Sequence, residues 1–428
     1  MLNTASKKSW IDALMIGWLL LGAIVLISSL TPLISGDGEV RFHDVIRFYR
    51  HDDIPKTQFS AVQPFLSVPL YWVGTLLYTP EIVTAWFNCL IFVVFLCCLY
   101  PLILDRNLRF FSLALLLSTS MFPHYLQRYD GELLTTVAVT LGFFYLLERR
   151  LFLSSFLLTI GVAQTPATLP AFGLALCFFA LKTRNPKLIL LLLAPIIAIM
   201  VENYFKFGSL LNNPYLAGNR GLQTVMPYSG LPGFSYPFFL GVLSIVFSFG
   251  KGLIFFIPAI FLRFFICLKS VDKKIVLITD VLLIFVLGLV LTYSKWWAWY
   301  GGVSWGPRFF VLACVPASLV LAAWLSKNRD RNHVLVLGMV MLLLSAWVCV
   351  QGYLYGNSHL EQCTQNNYAQ EFMCWYVPEF SPLLRQFVTT FEISLDLSQR
   401  LFLTWWGLTL LFCVSYKLTN YLKDRLRG

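Results

Sequence analysis

Apolar runs long enough to cross a bilayer recur from one end of this chain to the other. A helical span needs about 20 mostly apolar residues. Twelve stretches meet or approach that length: roughly 11–34, 82–104, 108–124, 131–148, 151–166, 168–182, 185–202, 236–268, 275–294, 308–326, 333–351 and 401–420. Some are short or fused, and the tightest pairs meet at Gly131 and Thr165. Runs such as LILLLLAPIIAIM lack the period-two alternation of a membrane β-barrel strand. Helices also pair their own backbone polar groups inside lipid. The expected fold is all-α: a polytopic transmembrane helical bundle of about 12 spans, with residues 1–428 as one integral-membrane domain. Composition agrees. The chain is 58% hydrophobic and 12% charged, with a mean hydropathy of +0.72. Soluble domains carry about 25% charged residues, so a cytosolic globular protein and a disordered chain are both excluded.

Net charge is +11, which elsewhere would suggest nucleic acid. Its distribution says otherwise. With the N-terminus placed in the cytoplasm, alternate loops hold 20 of the 32 Lys and Arg residues, against six acids. Among them are Lys7, Lys8, Arg106, Arg109, Arg149, Arg150, Lys273, Lys274, Arg425 and Arg427. Every inside loop is then basic, as the positive-inside rule requires. The excess charge is a topology signal, and an even span count returns the C-terminus to the cytoplasm. The first span follows a charged segment without a small-residue cleavage site and reads as an uncleaved anchor. Asp280 is the one acid inside a span; Lys274, six residues away, is its expected partner.

The inside loops are short connectors, and chemistry-bearing residues concentrate outside. In the first outside loop, 35–81, the segment EVRFHDVIRFYRH spaces its apolar residues as an amphipathic interfacial helix does. Asp37 and Glu39 precede it. A carboxylate there is placed to act as a general base, or simply to cap the helix. In the turn PHYLQRYDGE, His124, Arg128, Asp130 and Glu132 lie within nine residues. They make either a polar site or an interfacial salt bridge. Lys251 in FGKG, Lys295 and Arg308 are among the few outside cations. Arg308 follows Gly306 and Pro307 at a helix start, which suits a phosphate; the alternative is snorkelling to headgroups. Trp296, Trp297, Trp299, Tyr300 and Trp305 form either a sugar-stacking surface or, more simply, an interfacial aromatic belt. Cys363 and Cys374 share the 351–400 outside loop, where a disulfide is one reading and two free thiols the other. No metal-ligand spacing is present.

Three segments resemble the GT-C superfamily of integral-membrane glycosyltransferases. GDGEVR at 36–41, followed by QPFLSVPLYW at 63–72, is similar to that superfamily's acidic first outside loop. FSFGKGLIFFIP at 247–258 resembles its SPGKGL-type segment. WAWYGGVSWGPRF at 297–309 resembles its W-GG-S-GPR stretch. The likeness spans the chain in topology, but its motifs cover only some forty residues. The first-loop motif departs from the usual DE pair, and the large C-terminal soluble domain of the superfamily is absent.

The resemblance implies transfer of one sugar from a polyprenyl-phosphate donor to a hydroxyl of a glycan, lipid or surface-protein acceptor. The reaction would take place on the extracytoplasmic face of a bacterial inner membrane. Asp37 would be the base, with Glu39 as its stand-in and Asp130 as a second acid. Arg308, Lys251, Lys295 and Arg128 would face the donor phosphate. His124, Glu132, Trp299, Tyr300 and Trp305 would contact substrate. The donor serves as co-substrate, no nucleotide is expected, no metal is assigned, and a single displacement would invert the anomeric centre. Two other readings remain: a lipid-linked glycan ligase or polymerase, and a secondary transporter or flippase. A transporter would place charged or broken-helix sites at mid-membrane, often in two related halves.

Overall fold

The computed structural model describes residues 2–50, 54–212, 233–266, 268, 271–326, 331–365, 369–389 and 394–427. Most of the NNPYLAGNRG stretch, Cys267, Lys269 and the charges at 327–330 lie outside them.

The described residues form helices joined by loops, and their one ladder contact is an isolated bridge between Leu33 and Arg128. In chain order the helices are α1 (Leu2–Ser28), α2 (Asp37–Arg50), α3 (Val62–Leu76), α4 (Pro80–Ala85), α5 (Phe87–Leu102), α6 (Arg106–Ser118), α7 (Phe122–Tyr125), α8 (Glu132–Leu147), α9 (Leu151–Gln164) and α10 (Leu169–Thr183). They continue as α11 (Leu193–Phe207), α12 (Phe238–Phe247), α13 (Leu253–Phe256), α14 (Lys273–Tyr293), α15 (Cys314–Ser326), α16 (Asn332–Leu354), α17 (Glu361–Thr364), α18 (Glu371–Tyr376) and α19 (Leu397–Arg427).

Among the described residues, eight helical segments are long and apolar enough to cross a membrane: Trp10–Ser28, Pro80–Leu102, Pro166–Thr183, Pro186–Phe207, Lys273–Tyr293, Arg308–Ser326, Asn332–Leu354 and Leu397–Lys423. They mark an integral membrane protein. Helices α8, α9 and α12 are apolar but shorter, and α6 has 13 residues. The expected span at 236–268 is broken, because α12 stops at Phe247 and Gly250, Lys251 and Gly252 form a turn before α13. A 3₁₀ segment, Pro258–Phe264, follows it.

Small residues let the helices approach. A side chain on Gly288 of α14 would meet the Ala171 backbone of α10. In the α8–α9 hairpin, Gly142 faces Leu158 and Gly161 faces Val139. Thr135 donates to the Gly161 carbonyl at 3.0 Å, and Ser154 donates to that of Gly142 at 2.8 Å. Small contacts with hydroxyl bonds across them hold helices together in lipid. α15 is the centre of the bundle, buried from Cys314 to Leu325.

Helices α1 and α19 run antiparallel. Gly22 sits against Trp405, while Trp18, earlier in α1, donates to Thr409, later in α19, at 3.0 Å. Their free ends therefore lie at one end of the molecule. Arg106 reaches Asp12 there, and Asn332 receives Tyr421 and Arg425. Asp280 is held bidentate by Arg263 at 2.8 and 3.1 Å. The expected partner, Lys274, pairs instead with Glu148 at 2.7 Å. Spacing along one helix could not reveal a partner supplied by the preceding segment.

Candidate functional site

The acidic segments after α1 and before α8 meet. Asn88 of α5 is fully buried and donates to the carbonyls of Arg128 and Asp130, at 2.5 and 3.0 Å, which fixes the turn. The Leu33 amide donates to the Gln127 carbonyl at 2.8 Å, tying the exit of α1 to the same turn. Gly38 packs so close to Tyr129 that an added Cβ would lie 3.1 Å from its carbonyl oxygen. The first turn of α2 thus rests directly on the 128–132 backbone.

A loop from the other side supplies Arg308. Gly301, Gly302 and Gly306 have φ of +75°, +73° and +66°, a left-handed backbone that glycine adopts without strain. Lys251 stabilises this loop from within. It is 1% exposed, and its ammonium donates to the carbonyls of Ser304 and Gly306, at 2.5 and 2.9 Å, and of Gly302 at 3.2 Å. Burial, with Arg308 adding to it, pushes this lysine well below its ordinary pKa. Tyr125 donates to the Trp305 carbonyl at 2.7 Å and ties the two loops together.

Arg308 is the hub. Its Nη2 is 2.6 Å from Asp37 Oδ2, and its Nε is 3.6 Å from Glu132 Oε1. Arg128 Nε donates to Asp130 Oδ2 at 2.9 Å. Burial works to raise the Asp130 carboxyl, but the neighbouring Arg128 and Arg308 guanidiniums outweigh it and hold the pKa below the ordinary value. Three acids and two arginines from three chain segments therefore form one charge cluster, as paired buried charges must. Asp37 is its most open member, with a side chain 36% exposed, against 15% for Arg308 and 14% for Glu132. Beside Glu132 lies a small void of about 10 Å³, room for about one water. It is lined by Thr135, Thr136, Thr165 and Thr168 together with apolar residues of α14 and the segment after Arg308, Phe285 and Phe309 among them.

Other expected residues sit apart from this cluster. Glu39 is exposed in the first turn of α2, and Lys295 is exposed at the end of α14. His124 is buried, with Nδ1 3.2 Å from the Gly352 carbonyl and its ring packed on Trp305. Burial, then Arg128, pushes its pKa down to about 3. Trp297, Trp299, Tyr300 and Trp305 are all buried, so they form neither a lipid-facing belt nor an open stacking surface. They pack under the 351–400 loop: Tyr300 stacks on Trp375 and donates to Glu371 at 2.7 Å. Cys363 and Cys374 are joined in a disulfide inside that loop, with Cα atoms 6.2 Å apart.

Three neighbours of the cluster escaped the sequence reading. Arg41 is buried against Phe59, Gln63 opens α3, and Gln164 closes α9. Arg41 was visible as one of the few outside cations, and Gln164 as an amide ending an apolar run. Gln63 carried no signal. Comparison with family models, curated proteins and solved structures gives no match.

Proposed function

We propose that the protein is a membrane glycosyltransferase that moves a single sugar from a polyprenyl-phosphate donor to an acceptor hydroxyl at the extracytoplasmic surface. One observation carries the reading. A partly exposed carboxylate, Asp37, and a largely buried guanidinium, Arg308, lie 2.6 Å apart in a protein whose helices are long and apolar enough to cross a membrane. A lipid-linked donor asks for that combination: an apolar setting for the chain, a cation for the phosphate and an acid open to the aqueous side.

The chemistry follows from the placement. The polyprenyl phosphodiester lies with its phosphate at Arg308 and its isoprenoid chain in the surrounding lipid. The acceptor oxygen attacks the anomeric carbon, and the bond from that carbon to the phosphate oxygen breaks. The acceptor proton passes to Asp37, and polyprenyl phosphate leaves with one more negative charge. Arg308 stabilises that charge as it grows. Glu132 faces Arg308 and Asp130 pairs with Arg128, which keeps the site near electrical balance. Lys251 acts one step back, by setting the loop that presents Arg308. The displacement inverts the anomeric centre.

The transporter alternative draws less support. Its natural candidate, the intramembrane Asp280, is held bidentate by Arg263.

The test is incubation of full-length protein in lipid nanodiscs with radiolabelled polyprenyl-phosphate mannose, other hexoses and arabinofuranose, together with a membrane extract. One labelled product that requires the protein supports the reading. No transfer from any donor, together with passage of a labelled donor across sealed vesicles, overturns it in favour of a flippase.

A further inference from the structure

Beside the charge cluster lies a second concentration of polar groups, where α2, α3 and α9 close on the turn at Gly131. Arg41, Gln63, Gln164 and Asp130 are 7%, 0%, 2% and 3% exposed. Six of their side-chain atoms are buried without a hydrogen-bond partner: Nε and Nη1 of Arg41, Nε2 and Oε1 of Gln63, Nε2 of Gln164 and Oδ1 of Asp130. Each buried polar atom left unpaired costs about 1–3 kcal/mol, and native structures hold few of them. Six in one junction describe a site prepared for a ligand.

The groups are also held in place. Gln164 Oε1 accepts from the Gln63 backbone N–H at 2.8 Å, which fixes the Gln164 side chain. The Arg41 guanidinium lies 4.6 Å over the Phe59 ring. Gln63 is braced through its carbonyl, which accepts from Ser67, and Ser67 accepts from Tyr129 at 2.7 Å. Gly131 lets the Gln164 amide and the Arg41 guanidinium close directly on the turn. Any Cβ there would collide with Gln164 Nε2 and stand 3.2 Å from Arg41 Nη1.

The mixture of donors and acceptors identifies the ligand class. An oxyanion offers acceptors only. It would leave Gln63 Oε1 and Asp130 Oδ1 unmatched, and it would add negative charge beside Asp130, Glu132 and Asp44, all within electrostatic reach of Arg41. A hydroxyl both donates and accepts. Adjacent hydroxyls on one ring can satisfy guanidinium, amide and carboxylate together without adding charge.

We infer that Arg41, Gln63, Gln164 and the free oxygen of Asp130 form a carbohydrate-binding subsite over Gly131, one that takes the hydroxyls of a sugar ring. Its placement beside the phosphate position at Arg308 rests on the glycosyltransferase reading above. The sugar is either that of the donor or that of the acceptor.

Saturation-transfer NMR on the full-length protein in nanodiscs tests this, with the methyl glycosides of mannose, glucose, galactose and arabinofuranose as probes. The variants are Gln63→Leu and Gln164→Leu, with Gly131→Ala as a third should either fail to fold. At least one glycoside is expected to give signal with the wild type and to lose tenfold or more in the variants. Affinity for bare polyprenyl phosphate should stay within twofold. If affinity for the glycosylated lipid falls, the sugar is the donor's; if only transfer to the acceptor falls, it is the acceptor's. Absence of glycoside signal from the wild type overturns the inference, as does equal signal from the variants. So does loss of bare polyprenyl phosphate binding on Arg41→Lys, which would make this an oxyanion site. Glycoside binding without transfer from any lipid donor would keep the subsite and remove the transferase. Transfer indifferent to Gln63 and Gln164 would do the reverse.

Discussion

At the scale of single residues, the division of labour between Arg308 and Lys251 has measurable consequences. Both are buried cations at the glycine-rich loops, and their sequence settings look alike. Arg308 faces two acids, while Lys251 donates to three loop carbonyls. Arg308→Ala should therefore weaken donor binding by a charged contact, about 1.5–3 kcal/mol, or roughly 10–150-fold, in a labelled-lipid binding assay, and slow transfer as well. Lys251→Met should show first as a lower unfolding temperature, because the loop loses its anchor. His124 gives a second test at this scale. Burial holds its folded pKa at about 3, far below the ordinary value. The folded protein keeps the ring neutral while the unfolded chain takes up a proton below about pH 6.5. Stability should thus fall as pH drops from about 6.5 towards 3. By pH 5 this costs about 2 kcal/mol. His124→Asn keeps a donor for the Gly352 carbonyl and cannot titrate, so its chemical-denaturation midpoint should move less between pH 7 and 5 than that of the wild type. Legibility at this scale was uneven. Asp37 and Arg308 were readable from position and neighbouring glycines. Arg41, Gln63 and Gln164 were not, because their interest comes from being buried without partners, which a sequence cannot display.

At the scale of elements, the segment GGVSWGPR explains itself once its backbone is known. Three of its glycines hold left-handed φ, so the motif is a loop shape that points Arg308 at α2. A side chain on Gly302 meets nothing within 4 Å, whereas one on Gly306 would press on Met121 and Phe256 at 3.2 Å. Gly302→Ala should cost only the backbone strain, about 1–2 kcal/mol. Gly306→Ala should cost more, and a thermal-shift comparison of the two separates strain from crowding. α2 was foreseeable as an amphipathic helix from its spacing. Its buried face was not, since it carries Arg41 and Asp44 next to Gly38 and Val45. An apolar-period reading assigns charged residues to solvent. The long run at 236–268 misled for the opposite reason: hydropathy alone counts residues, and the turn at Gly250–Gly252 interrupts the helix without lowering the hydropathy by much.

At the scale of the whole molecule, charge distribution and packing agree on two unlike ends. α1 and α19 run antiparallel and leave both chain ends beside Arg106 and Arg425, while Asp37, Asp130 and Arg308 gather elsewhere. If the basic end is cytoplasmic, a membrane-impermeant thiol reagent applied to intact cells should label Glu379→Cys, in the 351–400 loop, and spare Asn185→Cys. Both positions are exposed, so the pattern reports sidedness; the reverse pattern would put the charge cluster inside. The all-helical class was legible because apolar runs admit little else, and the number of crossings was less so because short helices pair inside the bundle. If Asp37 takes the acceptor proton beside a phosphate held by Arg308, its amide variant must lose transfer. Wild type, Asp37→Asn and Glu39→Gln are compared in one nanodisc preparation with a labelled polyprenyl-phosphate sugar. Asp37→Asn should lose about two orders of magnitude in turnover or more, with donor affinity equal or tighter because Arg308 is freed, and Glu39→Gln should lose far less. Full turnover by Asp37→Asn would exclude Asp37 as the base.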